Sequence, residues 1–170
     1  CVGNIYLGGT GKTPISLKLF EILKKKGRNP SIVKKFYNNQ IDEINFLKDK
    51  ADSFFCSRSR SKAIEKAITK GSKMIILDDG FQDYSIAKDL QILCFDSKLF
   101  IGNGLTLPSG PLRESLKSIN KSQLILIKGE KNLFAEDIIK KISPKIEIFY
   151  FKYNSTNFEQ FKNKKLLAFA

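Results

Sequence analysis

Val2-Gly3-Asn4-Ile5-Tyr6-Leu7 runs directly into Gly8-Gly9-Thr10-Gly11-Lys12-Thr13-Pro14, and the reading of this stretch decides the fold. Val2–Leu7 is an apolar run and is read as a buried strand. A tight strand-to-helix turn needs one or two glycines; it has no need of Gly8, Gly9 and Gly11 followed by Lys-Thr. Glycines let backbone N–H groups converge on phosphate oxygens, and a helix that starts there adds a favourable dipole. Lys12 is then placed to neutralise charge between β- and γ-phosphates, and the Thr13 hydroxyl to ligate Mg²⁺. Gly8, Gly9, Thr10, Gly11, Lys12 and Thr13 are the candidate nucleotide-binding residues. The generic eight-residue pattern of such loops has glycine where this chain has Tyr6.

Outward from the loop, strands and helices alternate. The first helix begins near Lys12, with Pro14 accepted in the first turn, where its missing N–H is not needed. Ile15, Leu19, Ile22 and Leu23 form its apolar stripe, and Gly27 followed by Pro30 ends it. Ser31–Val33 is expected as a strand, Ile41–Lys48 as a helix, Asp52–Cys56 as a strand and Arg60–Lys70 as a helix stopped by Gly71. Met74–Leu77, Leu90–Phe95, Leu124–Ile127, Ile146–Phe151 and Leu166–Ala170 complete the strands. Lys152–Lys165 is polar and reads as a loop or connection. The alternation predicts an α/β fold of the P-loop NTPase type, a mostly parallel sheet with helices on both faces.

Two further runs carry chemistry. Asp78-Asp79 follows Met74-Ile75-Ile76-Leu77, and a strand that ends in acids beside a phosphate loop suits a Mg²⁺-organising carboxylate. Ligands of open α/β sheets sit at the carboxyl ends of strands, so the two motifs are expected to converge. A solvated Asp-Asp-Gly turn is the bland alternative. In Pro108-Ser109-Gly110-Pro111-Leu112-Arg113-Glu114, two prolines and a glycine fix a rigid turn that displays Arg113 and Glu114. Beside an anionic substrate, Arg113 becomes a phosphate clamp.

Taken together, Val2-Gly3-Asn4-Ile5 with Gly8–Pro14, Asp78-Asp79-Gly80-Phe81-Gln82, Gly102-Asn103-Gly104 and Pro108–Glu114 resemble the tetraacyldisaccharide 4′-kinases, the lipid A 4′-kinases of Gram-negative bacteria. Order and spacing agree over essentially the whole chain, and that family's loop also lacks the first glycine. The resemblance implies transfer of the ATP γ-phosphate to the 4′-hydroxyl of a tetraacylated glucosamine disaccharide 1-phosphate. It implies Mg²⁺ and a site of work at the cytoplasmic face of the inner membrane, with the membrane surface and an anionic lipid as partners. Lys12, Asp78, Asp79 and Arg113 are then catalytic candidates. Asp42, in Ile41-Asp42-Glu43-Ile44, takes the place of the family's Gly-Asp-Glu-Pro acid and becomes the candidate base for the sugar hydroxyl. The alternative for Asp42 and Glu43 is that they merely open a helix. Thr13, Asp78 and Glu114 are candidate metal ligands, and Arg113, Lys35 and Tyr37 candidate substrate contacts. The chain departs from the family at Asp83, where the family has His, and over Val33–Asn38, where a Leu-Ser-Arg-Gly-Tyr-Gly run loses both glycines.

The net charge is +13 over 170 residues, carried mainly by lysine spread along the chain. It is read as a general field toward anions or as compositional drift, not as a nucleic-acid patch, because no basic cluster interleaves with aromatics. No nucleic-acid or protein partner is expected. Cys1, Cys56 and Cys94 lack CxxC spacing and the chain has no His, so buried reduced thiols are expected and a zinc site is not. No apolar stretch approaches the roughly 20 residues of a membrane span. Both ends read as cuts. Residues 1–151 are expected to form the kinase domain without a preceding hydrophobic helix, and 152–170 a connection to a truncated C-terminal portion. A different P-loop NTPase, coupling hydrolysis to a protein partner, is the competing reading; no guanine-reading Asn/Thr-Lys-x-Asp motif supports it.

Overall fold

In the computed structural model, residues 1–154 are described. Seven strands form one sheet: β1 (Val2–Gly3), β2 (Pro30–Lys35), β3 (Phe54–Ser57), β4 (Met74–Asp78), β5 (Ile92–Asp96), β6 (Leu124–Lys128) and β7 (Glu147–Phe151). Their order is β3-β2-β4-β1-β5-β6-β7, and every pairing is parallel. Four α-helices lie between them: α1 (Lys12–Lys25), α2 (Ile41–Lys50), α3 (Arg60–Thr69) and α4 (Leu133–Ile142).

Alternate strand residues point to opposite faces, and each face is covered by its own helices. Val2, Ile32, Ile76 and Cys94 point toward α1 and α2, where Phe20 and Leu47 complete a buried cluster. Val33 and Leu77 meet Ala63 and Ala67 of α3 on the other face. On that face Leu93, Phe95, Ile125 and Ile127 pack against Ala135 and Ile139 of α4.

The expected α1 is present, and its end has a physical account. Gly27 takes φ 69°, its N–H donates to the Lys24 carbonyl, and the Arg28 N–H donates to that of Leu23. These two bonds satisfy carbonyls that the helix leaves open, the Schellman arrangement that favours glycine. Gly71 closes α3 in the same way, with Gly71 N–H to Ile68 and Ser72 N–H to Ala67.

Two expectations shift. The first strand is not six residues long but two, because Asn4 leaves the ladder and Tyr6 instead pairs in an antiparallel bridge with Leu112. The helix α4 was not expected, although Asn132 caps it by accepting from the Ala135 N–H and Ala135, Ile138, Ile139 and Ile142 mark one face. All three cysteines are free; Cys94 is buried, while Cys1 and Cys56 are only partly so. The expected strand Leu166–Ala170, and all but the first residues of the Lys152–Lys165 connection, lie outside the described residues.

Candidate active site

The carboxyl ends of β1, β2, β4, β5 and β6 share one rim, where a cleft of about 750 Å³ opens. Gly8 to Thr13 form its floor and Asp42, Glu43, Asp79, Arg113 and Lys128 stand around it. Gly8 has φ 133° and Gly11, the residue that caps α1, has φ 87°. At Gly11 the left-handed backbone itself favours glycine, and a side chain would in addition displace the exposed Tyr153 hydroxyl. The first N–H groups of a helix have no partner within it, and those of α1 open onto the cleft.

Asp78 ends β4 and is fully buried. Its Oδ1 accepts from the Ser16 hydroxyl at 2.8 Å, and its Oδ2 from the Thr13 hydroxyl at 3.3 Å and the Lys34 ammonium at 2.8 Å. Lys34 is the register neighbour of Asp78 across the β2–β4 ladder, so the ion pair forms side by side. The same ammonium donates to Glu43 Oε2 at 2.8 Å. Burial alone depresses the Lys34 ammonium, but Asp78 and then Glu43 outweigh it and raise it above its ordinary 10.5.

Asp79 follows with φ 52°, a left-handed conformation that costs energy outside glycine. That turn sends its carboxylate to the loop: Oδ1 accepts from Arg113 Nη1 at 2.7 Å and lies 3.9 Å from Lys12 Nζ. Burial pushes the Asp79 carboxyl up, but Lys12 and Arg113 outweigh it and hold the group below its ordinary 3.8. Asp78 and Asp79 are therefore no solvated turn: one is an internal anchor, the other a partner of two cations on the cleft wall.

Oxygen donors suit Mg²⁺, which commonly takes one or two protein ligands and fills the rest with phosphate and water. Thr13 fits, since its hydroxyl gives its proton to Asp78 and keeps lone pairs free. Asp78 differs: both of its oxygens already accept, and an ammonium sits beside one of them, so any influence on a metal would pass through Thr13. Glu114 does not wall the cleft. Its Oε2 accepts from Ser118 Oγ at 2.6 Å and Lys121 Nζ at 3.1 Å. Lys35 and Tyr37 also stand outside the lining, the ammonium 5.5 Å from the ring centre. Asp42 does line the cleft, at the first turn of α2, and its carboxylate has no ion-pair partner among the described residues.

Besides Asn4, Ser16 and Lys34, two more residues near the site had no assigned role in the sequence. Arg60, the first residue of α3, is buried to 5% exposure. Its Nη2 donates to the main-chain carbonyls of Asp79 at 2.8 Å and Asp78 at 3.3 Å, and its Nη1 to Asp83 Oδ2 at 2.8 Å. The guanidinium thus braces the strained turn that aims Asp79. Lys128, at the end of β6, pairs with Asp96 at 2.7 Å and reaches the Gly9 carbonyl at 3.3 Å. No local pattern flags either residue, because every partner lies far along the chain.

The chain matches the family described as Tetraacyldisaccharide-1-P 4′-kinase over residues 1–54 and 42–170, two stretches that overlap across α2. The chain belongs to that family. Among individual relatives, the Tetraacyldisaccharide 4′-kinase of Pelagibacter ubique is 44% identical over all of this chain and 55% of its own length. That of Colwellia psychrerythraea is 34% identical over 77% of this chain and 43% of its own. The chain therefore spans about half the length of the curated relatives it matches. Among solved structures, the signal recognition particle receptor FtsY of Elizabethkingia anophelis superposes with a TM-score of 0.59. It covers 86% of this chain and 56% of the receptor at 11% identity, a likeness of fold alone. Among the described residues, no helix is long and apolar enough to cross a membrane.

Proposed function

We propose that the protein containing this chain transfers the γ-phosphate of ATP to the 4′-hydroxyl of a tetraacyl glucosamine disaccharide 1-phosphate, a step of lipid A biosynthesis. The observation that carries this reading is the convergence of Lys12, Asp79 and Arg113 at the mouth of the phosphate loop, in a chain of the 4′-kinase family.

In this reading Gly8–Thr13 cradle the β- and γ-phosphates through main-chain N–H groups, and Lys12 neutralises the charge between them. Arg113 offers a planar fork of donors to the transferring group. Thr13 would hold Mg²⁺, its hydroxyl oriented by Asp78; when bound, the ion would supply neutralisation of phosphate charge. Asp42 lines the same cleft and takes the proton of the 4′-hydroxyl, while Glu43 is held by Lys34. Glu114, Lys35 and Tyr37 have no direct part, because none faces the cleft.

In this reading residues 1–151 form the nucleotide-handling unit, with Tyr153 beside its loop. The lipid acceptor supports work at an anionic bilayer surface, the cytoplasmic face of the inner membrane, and the net charge of +13 is compatible with it. The deciding experiment gives the full-length protein ATP, Mg²⁺ and the disaccharide 1-phosphate lipid. A labelled phosphate on the 4′-oxygen is expected. Brisk ATP hydrolysis that ignores the lipid, with no transfer, replaces this reading with that of an NTPase acting on a protein partner.

A further inference from the structure

Three sequence motifs meet on one residue that none of the three contains. Asn4 follows β1 and is fully buried. Its Nδ2 donates to the Tyr6 carbonyl at 2.6 Å, the Gly8 carbonyl at 3.2 Å and the Thr10 hydroxyl at 3.0 Å. Its Oδ1 accepts from Arg113 Nη1 at 3.0 Å. Its main-chain carbonyl accepts from Gln82 Nε2 at 2.9 Å. Gly8 and Thr10 belong to the phosphate loop, Gln82 to Asp-Asp-Gly-Phe-Gln, and Arg113 to the Pro-x-Gly-Pro-Leu-Arg-Glu turn.

We propose that Asn4 is a positioning residue that sets the phosphate loop and Arg113 in a common frame, so that both address the γ-phosphate together. The inference rests on the kinase reading given above.

Chemistry explains the residue type. The carboxamide carries donors on one side and an acceptor on the other. Its donors face oxygens of the loop, and its acceptor faces a cation. An Asp of the same shape would oppose two carbonyls with a carboxylate; a Leu would leave the loop carbonyls and one guanidinium contact unsatisfied. Arg113 needs the second anchor. With Asp79 alone, its guanidinium would pivot about a single oxygen; with Asn4 added, two acceptors on Nη1 fix its direction. The remaining N–H groups of the fork are then oriented for a phosphate.

Asn4 and Arg113 form a pair whose effects should not multiply. In the full-length protein, Asn4→Ala is expected to lower kcat at saturating MgATP by about 100-fold, as Arg113→Ala does, the scale of losing one oriented donor. The double variant is expected to be no worse than the lower single variant by more than about threefold, since residues acting as a unit are non-additive. Losses that multiply overturn the proposal. So does an Asn4→Ala enzyme with normal kcat per folded molecule. Asn4→Ser, too short to span from Gly8 to Arg113, runs the same cycle if the alanine variant does not fold.

Asn4→Asp separates the two halves. It keeps an oxygen toward Arg113 and loses the donors toward the loop, so affinity for a fluorescent ATP analogue should fall by about tenfold or more. The further kcat loss on adding Arg113→Ala should remain complete in that background. An Asn4→Asp protein with unchanged nucleotide affinity refutes the assignment. The affinity measurements need no lipid. A wild type that binds the analogue and transfers nothing therefore sinks the kinase function, while the analogue affinity of Asn4→Asp still decides whether Asn4 sets the loop.

Discussion

Lys12 and Asp42 both line the cleft, and under the proposed function their substitutions separate binding from chemistry. Lys12 stands 3.9 Å from Asp79 with its side chain only 16% exposed, a cation kept in place before any phosphate arrives. Lys12→Ala is expected to cut ATP-dependent turnover by about 100- to 1000-fold, which steady-state assay of the full-length protein will read. Asp42→Asn is expected to slow transfer by about 100- to 10,000-fold while nucleotide affinity holds. A large loss of ATP binding in Asp42→Asn would show that the carboxylate serves the nucleotide instead of the acceptor. At this scale the sequence was most informative where function is local. The glycines, Lys12 and Thr13 sit within six residues and explain one another. Asp42 needed the family resemblance, since two acids at a helix start are ordinary. Glu114 was credited because it adjoins Arg113, but successive side chains in a turn need not face the same way, and its carboxylate went to Ser118 and Lys121.

Between elements, the start of α3 and the end of β4 are tied by Arg60. Asp79 holds a left-handed backbone without being glycine, and such strain persists only where neighbours enforce it. Arg60→Leu removes the donors to both carbonyls and leaves Asp83 without its buried partner. The expected cost is about 3–5 kcal/mol, measured as a shift of the urea midpoint at unchanged slope. A variant within about 0.5 kcal/mol of wild type would mean that the turn holds without its brace. Helix ends were legible from the sequence because their causes are local: Gly27 and Gly71 close α1 and α3 through bonds to residues three to five positions back. The first strand was overread for the opposite reason. Val2–Leu7 looks like one apolar segment, but the buried Asn4 amide bonds to the loop and takes the chain out of the ladder after Gly3. The α4 signal was present in Asn132 and the spacing of its apolar residues, and could have been found.

For the whole molecule, the two ion clusters under the cleft contribute to the acid and alkaline limits of stability. Asp79 titrates below its ordinary 3.8, so its contribution is complete above that value and fades as the pH falls through the lower folded one. Lys34 titrates above its ordinary 10.5, so its contribution is complete below that value and fades as the pH rises through the higher folded one. Between these limits neither group imposes a slope. Urea midpoints measured against pH should bear this out, and Asp79→Asn should flatten the acid arm alone. An acid arm unchanged in Asp79→Asn would assign that arm to other carboxylates. The topology was foreseeable as strands alternating with helices, but the strand order was not, because pairings between distant segments leave no periodic trace.

The two-residue β1 has a consequence for the order in which the protein is made. Val2 pairs with Asp78 on one side and Ile92 on the other, and Gly3 with Leu93. Both neighbours emerge from the ribosome long after it. Closing such long loops is slow, because their entropy is lost before the contacts reward it. The phosphate loop hangs directly from β1, so it is made before the strands that flank β1 and cannot take its final shape until they arrive. Under the proposed function, nucleotide capture would report that the centre of the sheet has closed, and a nucleotide that binds only that closed form would favour its completion.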